Sequence, residues 1–137
     1  MHKDYQRANQ WSQKAIGAAI EVHRDKGPGL VESIYEKCLM RELMLQNIQA
    51  VNQVVVPVEY KGYVFDEPLK LDVYIDQCLI LELKVVQNVL PEHKAQLLSY
   101  MKLLDAPVGL IINFHEMVLK NGIHRLILKG ADQAEAS

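Results

Sequence analysis

Asp72 is followed ten residues later by Glu82-Leu83-Lys84, a carboxylate and then a carboxylate-x-ammonium pair. On a strand, side chains alternate, so Glu82 and Lys84 share one face while Leu79, Leu81, Leu83 and Val85 make the other face wholly apolar. Cys78, Ile80 and Val86 accompany the charges, which makes their face at least half covered. Charges in such a setting cost several kcal/mol of desolvation unless paired or bound to a metal. Asp72 lies in a similar run, Leu71 to Ile75, and a tight turn at Asp76-Gln77 would set it beside Glu82 across a hairpin. Adjacent carboxylates repel, and a divalent cation relieves the repulsion. Oxygen donors of this kind suit Mg²⁺ or Mn²⁺. A neighbouring lysine stabilises charge on a phosphoryl oxygen or orients an attacking water. The set is chemically complete for metal-assisted phosphodiester hydrolysis. By spacing alone, however, D…ExK is short and common, and a solvated Glu–Lys pair on an amphipathic strand is the more frequent explanation.

Other residues fall where they could support such a site. Gln96 and Tyr100 are four apart and share a helix face, placed to position the lysine or touch phosphate. Gly29-x-x-Glu32-x-x-Tyr35 opens a helix, where Glu32 suits the helix dipole in any case and could also supply a third metal oxygen. His23, near a helix end, fits a structural or capping role better than a ligand's. His93 lies one turn before Gln96 on the same helix and carries little weight, while His2, His115 and His124 show no ligand spacing, which argues against zinc. Gly27-Pro28-Gly29 follows a helix rather than a strand and is no phosphate loop. Cys38 and Cys78 form no C-x-x-C pair and read as small buried thiols.

The elements that must carry these residues follow from periodicity. Apolar residues recur at helical spacing from Asn9 to Lys26 and again from about Leu30 to Gln46, divided by Gly27-Pro28-Gly29. From Ala50 the chain turns β-branched. Val54 to Val58 is expected as an edge or bulged strand because of Pro57, and Tyr60 to Tyr63 as a turn into a short strand. Leu69 to Ile75 and Cys78 to Val86 follow as antiparallel neighbours. Pro91 opens a helix to about Asp105, and Pro107 to Asn113 suits a strand covered on both faces. A closing hairpin, Val118 to Leu128, is expected to turn at Asn121-Gly122, and the tail from Gly130 to fray. The fold class is α/β (α+β): a mixed sheet flanked by helices in one domain over 1–137, with an ordered core of about 9–129.

Bulk properties are those of an ordinary globular chain of 137 residues, half of them hydrophobic. The formal net charge of −2 gives no general electrostatic attraction for nucleic acid. The polar first ten residues resemble no secretory signal, and no apolar run approaches the roughly 20 residues of a membrane span. A cytoplasmic location is expected.

Val22-His23-Arg24, Gly27 to Leu30, Glu32, Tyr35, Leu71-Asp72, Glu82 to Lys84, Gln96 to Tyr100, Gly109 to Phe114 and Asn121 to Arg125 together resemble the bacterial GxxExxY protein family, from about Ser12 to Leu128. That family is placed in the PD-(D/E)XK nuclease superfamily, with a restriction-endonuclease-like core. The resemblance implies Asp72, Glu82 and Lys84 as catalytic residues. Glu32, Asp72 and Glu82 would be metal ligands, with Gln96, Tyr100, Tyr35 and His23 in support. It further implies Mg²⁺ or Mn²⁺ as cofactor, and a nucleic acid, DNA foremost, as partner. A homodimer is also compatible, since such small domains often pair to cut two strands. Against the nuclease stand two other readings that suit the acidic charge better. One is a binding or assembly module that keeps the fold without the chemistry. The other is a phosphoesterase acting on a small nucleotide.

Overall fold

The computed structural model describes residues 1–134. Helix α1 spans Tyr5–Lys26, starting a turn before the expected Asn9. It buries Ala8, Ser12, Ala15, Ala18, Ala19 and Val22, and these small residues bring its axis close to the sheet. Gly27, at φ +69°, ends the helix, and its N–H donates to the His23 carbonyl at 2.7 Å. Helix α2 (Glu32–Leu45) buries Tyr35, Leu39 and Leu43 on the same side of the sheet.

Seven strands follow: β1 (Ala50–Val56), β2 (Glu59–Tyr60), β3 (Tyr63–Val64), β4 (Leu69–Ile75), β5 (Leu79–Lys84), β6 (Val108–Asn113) and β7 (Ile123–Ile127). The main sheet runs β1-β4-β5-β6-β7, and β2 with β3 forms a separate small hairpin. Among the described residues only β5 and β6 are parallel, joined by helix α3 (Pro91–Leu104) as the crossover. The expectation of a mixed sheet flanked by helices in one domain is met, and β1 takes the edge position that Pro57 suggested.

Two apolar layers sandwich the sheet. On one face, α1 and α2 pack over Val73, Ile75, Leu79, Leu81, Leu83, Leu110 and Ile112. On the other, α3 packs over Leu71, Ile80 and Ile111 through Leu97, Tyr100 and Met101. A Cβ on Gly109 would lie 2.7 Å from the Met101 sulfur, so glycine there lets α3 lie flat on β6. Cys78 joins the layer under α1, not the Glu82 face, because it lies in the turn before β5 begins.

The expected β4–β5 turn is present. Asp76 (φ +49°) and Gln77 (φ +54°) are both left-handed, and the Cys78 N–H closes the turn on the Ile75 carbonyl at 3.0 Å. The expected Asn121-Gly122 hairpin is not. Leu119–Gly122 form a short 3-10 turn, and β7 pairs antiparallel with β6 itself. A Cβ on Gly122 would sit 2.4 Å from the Asn113 carbonyl oxygen, so this glycine serves close approach to the end of β6. The tail is also more tightly held than expected: Ala131 is buried, and its carbonyl accepts the His2 N–H at 2.8 Å. Residues 135–137 of the expected polar tail lie outside the described residues. Among those described, no helix is long and apolar enough to cross a membrane.

Candidate active site

The β4–β5 ladder is regular through Val73 opposite Leu81. One residue further the count sets Asp72 opposite Glu82, and there the side chains take over from the peptide groups. The Leu83 N–H donates to Asp72 Oδ2 at 2.8 Å, and the Asp72 N–H donates to Glu82 Oε1 at 3.4 Å. The pleat also breaks at this point. Residues two apart on a strand normally share a face, yet Val73 packs under α1 and α2 while Leu71 packs under α3. Gln53, which the β1–β4 register sets opposite Asp72, has a left-handed backbone at φ +51°. Asp72 and Glu82 are thus gathered side by side at a disturbed point in an otherwise regular sheet.

Glu82 is only 6 % exposed, whereas Asp72 and Lys84 are half-buried. Burial first and the Asp72 carboxylate second push the Glu82 carboxyl up to about 8, against the opposing pull of the Asp72 N–H and Lys84. Asp72 is itself raised by burial, tempered by the hydrogen bond from Leu83. Glu32 is exposed at the start of α2. Its carboxyl is nonetheless raised, first by the protein packed around it and then by Asp72. From α3, Tyr100 is 7 % exposed, and its phenol is raised by burial and then by the charges of Glu82 and Asp72; neighbouring Gln96 acts in the opposite sense. Gln96 is itself exposed.

The sequence-derived set therefore divides. Asp72, Glu82, Lys84 and Tyr100 share one electrostatic neighbourhood, with Glu32 at its edge and Gln96 beside the phenol. Among the described residues no three His, Cys, Asp or Glu side chains come close enough to enclose an ion. Glu32 thus stands off from the Asp72–Glu82 pair instead of joining it as a ready-made third ligand. Tyr35 and His23 are committed elsewhere. Tyr35 is fully buried, stacks on Phe114 at 4.4 Å, and its hydroxyl bridges the Gly27 carbonyl and the Leu30 N–H. It locks the Gly27-Pro28-Gly29 turn that aims α2, and with it Glu32. His23 Nε2 is 2.8 Å from the Glu116 carbonyl, which ties α1 to the loop after β6.

Two residues escaped the sequence reading. Glu36, one turn beyond Glu32 on α2, accepts from Asn52 Nδ2 at 3.1 Å and Gln53 Nε2 at 2.7 Å, and its charge bears on both Asp72 and Glu32. The four-residue spacing from Glu32 was the available signal. Asn113, fully buried at the end of β6 opposite Lys84, donates to the Val86 carbonyl at 2.8 Å. Its Oδ1 accepts the N–H groups of Val86 (3.1 Å) and His115 (3.2 Å). This fixes the chain just past Lys84. Its place at a strand end carries no signal that separates it from an ordinary loop asparagine.

The donor chemistry fits a hard divalent cation. Two oxygen-bearing carboxyls, each raised by burial and one raised again by the other, are held side by side, so a bound cation would relieve a strain that the fold builds in. Mg²⁺ is typically held by one or two carboxylates, with waters and substrate phosphates completing its shell.

A family model described as the PD-(D/E)XK nuclease superfamily matches residues 9–126. No curated protein and no solved structure matches the chain. With the match spanning most of the sequence, and the acidic pair and its lysine lying on consecutive strands of a mixed sheet, the chain belongs to the PD-(D/E)XK nuclease superfamily.

Proposed function

We propose that the protein is a Mg²⁺- or Mn²⁺-dependent nuclease that hydrolyses phosphodiester bonds in DNA or RNA, with Asp72, Glu82 and Lys84 as its catalytic residues. Within the superfamily we assign it to the GxxExxY group, on Gly29-x-x-Glu32-x-x-Tyr35 and the motifs downstream. The observation that carries the activity is the cross-strand exchange at Asp72 and Glu82, where two buried or half-buried carboxyls replace a rung of the ladder beside Lys84. Superfamily members generally use divalent metal ions. Such an ion, held by Asp72 and Glu82, supplies neutralisation of charge on the phosphoryl oxygens. Lys84 holds its ammonium beside the pair, where it orients the attacking water and offsets the negative charge that grows at phosphorus. Tyr100, backed by Gln96, offers a phenolic donor to a phosphate oxygen on the α3 side. Glu32 adds negative charge at the rim. Asn113, by fixing Val86, keeps the Lys84 end of β5 from swinging away.

The test uses single- and double-stranded DNA and RNA, each with Mg²⁺, Mn²⁺ or EDTA, and the wild type beside Lys84→Ala and Asp72→Ala. Cleavage that requires metal and both residues is expected. Metal binding by calorimetry with no cleavage of any substrate would overturn the nuclease in favour of a binding module.

A further inference from the structure

The sheet leaves one aromatic feature that neither the core nor the acidic site uses. Between β1 and β4 the chain makes the β2–β3 hairpin, whose turn residues Lys61 (φ +50°) and Gly62 (φ +83°) are both left-handed, as a two-residue turn of this hand requires. Tyr60 pairs directly with Tyr63, so both rings emerge on the same face. Phe65, two residues on, follows on that face. Its N–H donates to the Val58 carbonyl at 2.9 Å, continuing the register, and its ring meets Tyr63 edge-on at 5.2 Å. All three rings face solvent, at 63 %, 66 % and 45 % exposure. The Lys61 ammonium lies 5.3 Å from the Tyr60 ring centre.

The hairpin's position gives this face a direction. It leaves the sheet at the Val56–Leu69 end of the β1–β4 ladder. Because β4 and β5 run antiparallel, the Leu69 start of β4 lies at the Lys84 end of β5, so the hairpin rises from the sheet end where the catalytic lysine sits. The same segment carries Glu59, Asp66 and Glu67 against the single charge of Lys61, which disfavours the dense phosphates of a duplex. Ring faces attract unpaired bases, because every base has a π-face, and Lys61 and Lys70 flank the rings to meet the backbone.

We propose that the Tyr60–Tyr63–Phe65 face of the hairpin is a stacking platform for unpaired nucleotides, which delivers single-stranded nucleic acid to the acidic site. The proposal rests on the nuclease reading above and names its substrate form. Successive bases stack on the two cross-strand tyrosines, Lys61 and Lys70 take the flanking phosphates, and the strand runs on toward Lys84.

The test measures fluorescence anisotropy in EDTA with a labelled oligonucleotide of about 15 nucleotides, within the range such platforms occupy, as single strand and as blunt duplex. The Tyr60→Ser/Tyr63→Ser double variant should bind the single strand at least about tenfold more weakly. Tyr60→Phe/Tyr63→Phe, which keeps the rings, should stay close to wild type. Both sites are exposed, and circular dichroism checks that both variants fold. Unchanged single-strand affinity in the serine variant, or no single-strand binding by the wild type, overturns the platform. So does a wild-type dimer, seen by sedimentation, that the serine variant dissolves, since the face would then be a seam between two copies. Wild-type cleavage with ring-independent binding overturns the platform alone. Ring-dependent binding without cleavage under Mg²⁺ or Mn²⁺ overturns the nuclease reading alone.

Discussion

Replacing Glu82 with glutamine keeps the shape of the side chain and its acceptor for the Asp72 N–H while removing a proton-binding group from the sheet interior. In the folded chain Glu82 holds its proton up to about 8, against 4.5 for an ordinary glutamate. The native state therefore binds more protons than the unfolded state between these values, and stability falls as pH rises through that window. At about 1.4 kcal/mol per pH unit, the shift bounds the loss at about 5 kcal/mol. Water reaching half-buried Asp72 trims this, so a loss of about 2–4 kcal/mol is expected for the wild type in EDTA between pH 5 and 9. The Glu82→Gln variant should lack most of that slope, matching the wild type near pH 5 and exceeding it near pH 9. Urea unfolding at several pH values reads the difference directly. Adding Mg²⁺ near pH 8.5 should stabilise the wild type by an amount that grows with the logarithm of ion concentration once the site fills, and leave the variant nearly unmoved. Equal pH slopes for the two proteins would refute the claim that a buried, mutually repelling carboxyl pair stores this energy.

Lys84→Ala should lower metal-dependent cleavage at least about a hundredfold, with little change in the unfolding midpoint because the side chain is only half-buried. Asn113→Ala loses its hydrogen bonds to Val86 and His115 and should cost about 2–4 kcal/mol in urea unfolding. Glu36→Gln removes a negative charge that raises Asp72, so the Asp72 carboxyl should titrate at lower pH, followed by side-chain carboxyl NMR.

What the sequence made legible was local. The Glu82-x-Lys84 alternation, the two-residue turn at Asp76-Gln77 and the stop at Gly27-Pro28-Gly29 all follow from rules spanning a few residues. Those rules were enough to bring Asp72 beside Glu82. The supports lie further apart along the chain: Glu36 meets Asn52 and Gln53 across 16 and 17 residues, and Asn113 meets Val86 across 27. No periodicity encodes such contacts. Asn121-Gly122 misled for a related reason. Its turn chemistry is real in isolation, but β7 gains more by pairing with the buried β6 than by folding back on a short exposed segment. Tyr35 and His23 carry residue types suited to a site, yet their partners are the Gly27 and Glu116 carbonyls.

Because β5 and β6 run parallel, Lys84 and Asn113 finish side by side, and the segments that leave them open onto the same rim. Neither segment belongs to a strand of the sheet. Insertions after Val86 or Phe114 could therefore build out the rim beside the acidic pair without shifting the ladder that holds Asp72 against Glu82. Descendants of such a scaffold could change what they grip while leaving the acidic pair untouched, and loop grafting at those two points is the corresponding route for an engineer.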